Sequence, residues 1–486
     1  MGRQEPSSTE VNATLRSGRS TACPGSCHNA TILPHSRHQT ARLQHHSPGN
    51  DARMALGPWW TNLAREKPSP MERILKSATT GYQQVHRPGG ARANGLDTLR
   101  ASAITLVFMY HYMAFVSREP TFGPASIVGW VGVDLFFVLS GYLIANQIFS
   151  GIARDQKLSL KLFYARRALR TLPAFWFVLA LYFIFPAVMG GRTPPPLWRF
   201  LTFTQNFGLH GGTAFSHAWS LCIEEQFYFV LPLAVLMGFW GARARARGWA
   251  LLLALLLVGM TARTVLWFSY GGESDGYYPN IYYATLCRFD EFLPGVAVAM
   301  LKNFHRPVWD RIMQHGQRVL AIGSVATAAM LCGVYWFYDI DGYGYGFFMT
   351  AAGYSLIAMA FAVLVMAALS PGSWLHRVRI PGAYHIALWS YSIYLSHKAI
   401  SVIVAKQLAP LEPPSGVTPL IVAIACVAGG ALLYRIVEVP FLAIRARRFP
   451  TSFAGAVRQQ QGDPTAAVTA RLDSQFGRPQ RLEERN

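Results

Sequence analysis

The chain has 486 residues, of which 52% are hydrophobic and only 14% charged, and its mean hydropathy is +0.22, so it is too apolar for an ordinary soluble domain. Its formal net charge is +20, yet the basic residues fall in short clusters between apolar runs, which excludes a nucleic-acid-binding face and points to membrane topology. Six cysteines, at 23, 27, 222, 287, 332 and 426, lack metal-ligand spacing apart from the isolated pair Cys23 and Cys27, so no metal and no disulfide framework is expected.

Residues 1–94 are rich in Ser, Arg, Gly, Pro, His and Gln without apolar periodicity, and read as a disordered cytoplasmic extension. No secretory h-region is present. Met54 and Met71 both precede the first apolar run, so part of the extension is expected to lie outside the functional segment. About ten runs then follow that are long enough to span a lipid bilayer: 97–117, 127–149, 172–190, 222–240, 248–270, 281–301, 318–338, 347–369, 384–405 and 418–438. The stretch 197–207 is shorter, follows Pro194, Pro195 and Pro196, and reads as interfacial or re-entrant. The fold class is therefore all-α: a polytopic membrane helical bundle over 95–449, followed by a polar, disordered tail over 450–486.

Basic residues cluster after every second run. Arg154, Lys157, Lys161, Arg166, Arg167 and Arg170 follow the second; Arg243, Arg245 and Arg247 the fourth; Lys302, Arg306, Arg311 and Arg318 the sixth. Arg377 and Arg379 follow the eighth, and Arg445, Arg447 and Arg448 the tenth. The alternate loops are poorer in bases and carry Glu273 with Asp275, or Asp339 with Asp341. By the positive-inside rule both termini are cytoplasmic, and Arg100 lies near the cytoplasmic surface.

The first run, DTLRASAITLVFMYHYMAFVS, carries Arg100 near its start and His111 well inside. Eleven helical residues at roughly 100° each return to within about 20° of the starting azimuth, so both side chains share one face, separated by a rise of about 16 Å. Ionisable groups at such depth are costly and mark function more often than not; the structural alternative is a snorkelling arginine and a histidine bonded to a neighbouring helix. Other runs hold Asp134, Glu224 with Glu225, Arg288 with Asp290 and Glu291, and His397. These are expected to share one buried polar cavity with His111, in which a carboxylate neighbour lets the imidazole take a proton from a hydroxyl. Ser140 and Ser220 lack a G-x-S-x-G elbow, and no P-loop, dinucleotide fingerprint or H-E-x-x-H zinc motif is present.

The arginine and histidine ten residues apart, followed in order by GVDLFFVLSGYLI, FYARRALRTLPAFW, HAWSLCIEEQFYFVLP, RFDEFLPG, SYSIYLSH and VEVPF, closely resemble the membrane-bound acyltransferase family 3. The resemblance covers about 96–441. It implies about ten core helices and transfer of an acetyl or other short acyl group from an acyl-coenzyme A, such as acetyl-CoA, to a hydroxyl of a carbohydrate or lipid-linked glycan. It places the protein in a bacterial inner membrane, with the donor as a substrate and no bound cofactor. It further implies His111 as general base, Arg100 as its motif partner and Glu224 as the acidic residue of W-S-L-x-x-E. Asp134 is a second candidate carboxylate. Arg100, with Arg166 and Arg167, is suited to the donor phosphates, and Arg288 either stabilises the oxyanion or pairs with Asp290, Glu291 or Asp134. A secondary transporter or flippase is the alternative, but no repeat relates two halves of the chain.

Overall fold

Segments that are apolar on every face satisfy their backbone internally as helices and need no polar side, which is why the runs become helices of membrane length. The computed structural model describes residues 94–238, 244–340, 344–414 and 416–454. The expectations for 1–93, for Arg243 and Asp341, and for the tail beyond Ala454 lie outside the described residues.

The principal helices are α1 (Asn94–Tyr112), α2 (Gly132–Ile152), α3 (Leu160–Ile184), α4 (Trp219–Gly238), α5 (Ala244–Tyr270) and α6 (Leu293–Phe304). They continue with α7 (Gly316–Phe337), α8 (Tyr354–Leu369), α9 (Ala383–Leu408), α10 (Val417–Leu433) and α11 (Val439–Arg448). Among the described residues, eight helical segments are long and apolar enough to cross a membrane, and the protein is an integral, multi-pass membrane protein. The 26-residue α9 is long enough as well, but buries Ser390, Ser392, His397, Lys398 and Ser401, and is not one of the eight.

The run expected as a single span at 281–301 is interrupted. A π turn (Tyr278–Tyr282), one helical turn (Thr285–Arg288) and a 3-10 turn (Phe289–Phe292) precede α6. Pro279 and Pro294 each remove a backbone donor, and irregular backbone is tolerated at depth only where protein surrounds it. Arg288, Asp290 and Glu291 are accordingly without solvent exposure.

This segment is locked to α2 by small residues. A Cβ on Gly141 would meet Phe292 O, and one on Gly295 would meet Val138 O and Tyr142 N, so glycine lets the two backbones touch. The start of α1 packs through Gly95 against Ala368 and Leu375, at the end of α8. Phe453–Ala454 pairs antiparallel with Lys157–Leu158, between α2 and α3, and Gln147 Nε2 donates to Ser452 Oγ at 2.7 Å. The chain thus stays packed to Ala454, beyond the boundary expected at Phe449.

Candidate active site

His111 projects from the last turn of α1 toward α9, where its Nδ1 lies 2.7 Å from His397 Nε2 with the rings stacked at 4.9 Å. His217, in the 3-10 turn Ser216–Ala218 that leads into α4, stands edge-on to both rings, at 6.2 Å from His111 and 5.3 Å from His397. Its Nε2 lies 3.3 Å from Leu395 O. Lys398, buried beside His397, donates to Ser216 Oγ at 3.2 Å and Thr213 O at 3.3 Å, and its ammonium sits 4.3 Å from the Phe115 ring centroid. Among the described residues no carboxylate hydrogen-bonds or ion-pairs with these three rings. The carboxylate neighbour expected for His111 is replaced by an imidazole, because arginines hold the acidic candidates elsewhere.

Toward the start of α1, Arg100 lines a cavity of about 320 Å³ together with Ser140, Arg167, Arg170, Glu224 and Tyr228. Glu224 accepts from Ser140 Oγ at 2.5 Å, from Arg167 Nη2 at 3.5 Å and from the Tyr228 hydroxyl. Arg167 stacks over the Tyr228 ring at 3.5 Å, and Arg170 pairs with Glu438 at 2.5 Å. Arg100 alone of these arginines makes no hydrogen bond or ion pair among the described residues. Arg166 is not part of this lining; it donates instead to the Phe449 carbonyl.

The cavity extends to Ser220 and Tyr394. Tyr394 hydrogen-bonds Ser220 Oγ at 2.6 Å and donates to His217 O at 2.7 Å, and its ring lies 5.8 Å from those of both His217 and His397. One tyrosine therefore separates the arginine-lined cavity from the histidines.

Asp134 and Arg288 form a third group. Arg288 Nη2 donates to Asp134 Oδ1 at 2.6 Å, Nε to Glu291, and Nη1 to Tyr282 O at 3.2 Å. The rings of Trp219, Tyr282 and Tyr354 flank its guanidinium at 5.0, 4.8 and 4.2 Å. Of the two readings of Arg288, the geometry matches the ion pair. The single cavity expected for Asp134, Glu224, Arg288, His111 and His397 resolves into separate groups, since each buried carboxylate takes the nearest arginine. A further pair was missed: Arg263 of α5 meets Asp290 bidentately at 2.6 and 2.9 Å. An arginine inside an apolar run was itself the available signal. His217, Lys398 and Glu438 stand in or beside motifs noted above, but their roles emerge only from their neighbours.

These features define a polytopic membrane protein with a polar site enclosed between helices. The chain belongs to the acyltransferase family 3: the family's acyltransferase domain matches residues 93–435. It is 28% identical over 400 residues to the peptidoglycan O-acetyltransferase OatA of Listeria monocytogenes serovar 1/2a, covering 78% of this chain and 58% of that protein. It is 27% identical over 371 residues to the O-acetyltransferase OatA of Staphylococcus aureus (strain NCTC 8325 / PS 47), covering 71% of this chain and 56% of that one. The chain thus spans little more than half the length of these relatives. No solved structure matches it.

Proposed function

We propose that the protein is a membrane O-acyltransferase that moves an acetyl or other short acyl group from an acyl-coenzyme A to a hydroxyl of a carbohydrate or lipid-linked glycan, in a bacterial plasma membrane. The observation that carries this reading is the line from Arg100 to His111. Both ride on one unbroken helix, and the cavity that opens at Arg100 ends at Tyr394, against the histidine rings. Arg100 meets the donor's phosphates with an uncommitted planar fork, assisted by Arg167, while the thioester extends toward His111. His111 takes the proton of the acceptor hydroxyl as it attacks the acyl carbonyl. Glu224 holds Arg167 in place, and the pairing of Asp134 with Arg288 keeps the broken segment closed beneath the site. The basic loops favour a cytoplasmic start of α1, the side on which acyl-coenzyme A is available. The names of the relatives support a carbohydrate acceptor.

The test is acyl transfer from labelled acetyl-CoA to a glycan acceptor by the purified protein in proteoliposomes. Label in the acceptor is the expected result. Solute accumulation without acylation would overturn the reading in favour of transport.

A further inference from the structure

We infer that His397 is a positioning residue: it fixes the tautomer of His111 so that Nε2, and not Nδ1, is the atom that accepts the substrate's proton. The inference rests on the reading of His111 as general base. His397 Nδ1 lies 2.8 Å from Tyr394 O and 3.2 Å from Ile393 O, both carbonyls of its own helix. A carbonyl only accepts, so this nitrogen carries the hydrogen. The ring sits beside the Lys398 ammonium and is fully buried, and no carboxylate contacts it among the described residues, so a second cation there would go uncompensated. The neutral ring then presents the lone pair of Nε2.

That lone pair is 2.7 Å from His111 Nδ1, which must therefore be the donor of the pair. In the opposite tautomer of His111 two lone pairs would face each other at that distance. With its hydrogen committed on Nδ1, neutral His111 carries its free lone pair on Nε2, which makes no protein hydrogen bond among the described residues. The acceptor's O–H proton passes to Nε2 as its oxygen bonds to the acyl carbon. The imidazolium so formed keeps its Nδ1–H on His397 Nε2 while the tetrahedral species stands. As the carbonyl re-forms, the C–S bond breaks and the thiolate takes the proton from Nε2, which returns both rings to their starting state. An imidazole partner orients the base as the carboxylate of a catalytic triad does, without placing an anion beside it.

Two measurements test this. In proteoliposomes, His397→Gln keeps an acceptor at the reach of Nε2 and is expected to stay within about threefold of wild-type kcat, whereas His397→Leu lowers kcat by about 10²-fold with the donor KM unchanged. A leucine variant as active as the glutamine variant at equal abundance would overturn the inference. Independently of activity, 15N NMR of histidine-labelled protein, with His111 assigned by loss of its signal in His111→Gln, reads the tautomer directly. The expected spectrum has a protonated Nδ1 and a free Nε2; the reverse pattern refutes the inference even in an active enzyme. The expected tautomer without acyl transfer would instead spare the inference about the ring pair and remove the proposed reaction.

Discussion

Arg288 and Asp134 meet at 2.6 Å with neither side chain open to solvent, which ties the broken segment to α2. Glu291 shares the same guanidinium, so one cation serves two carboxylates. Removing the arginine strands both acids, whereas neutralising Asp134 leaves Arg288 with Glu291. Arg288→Met is therefore expected to lose about 3–5 kcal/mol, read as a lowered melting temperature in detergent and reduced membrane abundance, with Asp134→Asn milder. Normal abundance of Arg288→Met with abolished turnover would return Arg288 to the oxyanion role.

His111 separates function from packing most cleanly. As general base, His111→Ala should lower turnover by at least about 10²-fold with donor binding and abundance retained. His111→Gln still donates and accepts hydrogen bonds but cannot carry the proton, and should be nearly as impaired. A glutamine variant with wild-type turnover would show that His111 is a packing residue.

Arg100 and Arg166 are close in sequence role but not in position. Arg100→Lys keeps the charge and loses the planar fork, so the expected outcome is a raised KM for the proposed acyl-CoA donor with normal membrane insertion. Arg166→Ala should leave that KM unchanged and lower thermal stability, since Arg166 is spent on the Phe449 carbonyl. An unchanged donor KM in Arg100→Lys removes Arg100 from donor recognition.

Topology is open to the simplest check. Reporter fusions after Arg154, Arg245, His315 and Arg377 should report cytoplasm, and fusions after Glu119, Asp275 and Pro413 the opposite side. The inverse pattern would overturn the proposed orientation and, with it, the assignment of Arg100 to the donor side.

Much of the fold was legible because a membrane span is written in local composition: α1, α2, α5, α7 and α8 fall close to the apolar runs that announce them. The break at 278–292 was not, since average apolarity runs across a segment whose irregular backbone depends on protein packed around it. The shared face of Arg100 and His111 was legible from helical period alone. Their partners were not. Which base meets which acid depends on how α2, α5 and the broken segment lie side by side, and the choice between Asp134 and His397 beside His111 turns on Arg288 having claimed the aspartate.

The short strand pair that joins Phe453–Ala454 to Lys157–Leu158 bears on how the protein is made. Ribosomes deliver α2 and α3 to the membrane long before Ser452 exists, so Gln147 and the chain between those helices must wait, exposed at the membrane surface, until α11 has been inserted. Contacts of such long sequence separation close late. The bundle therefore carries a latch thrown only after α11 is in place, and a nascent protein stalled short of Phe453 leaves Gly151 without the aromatic ring that covers it.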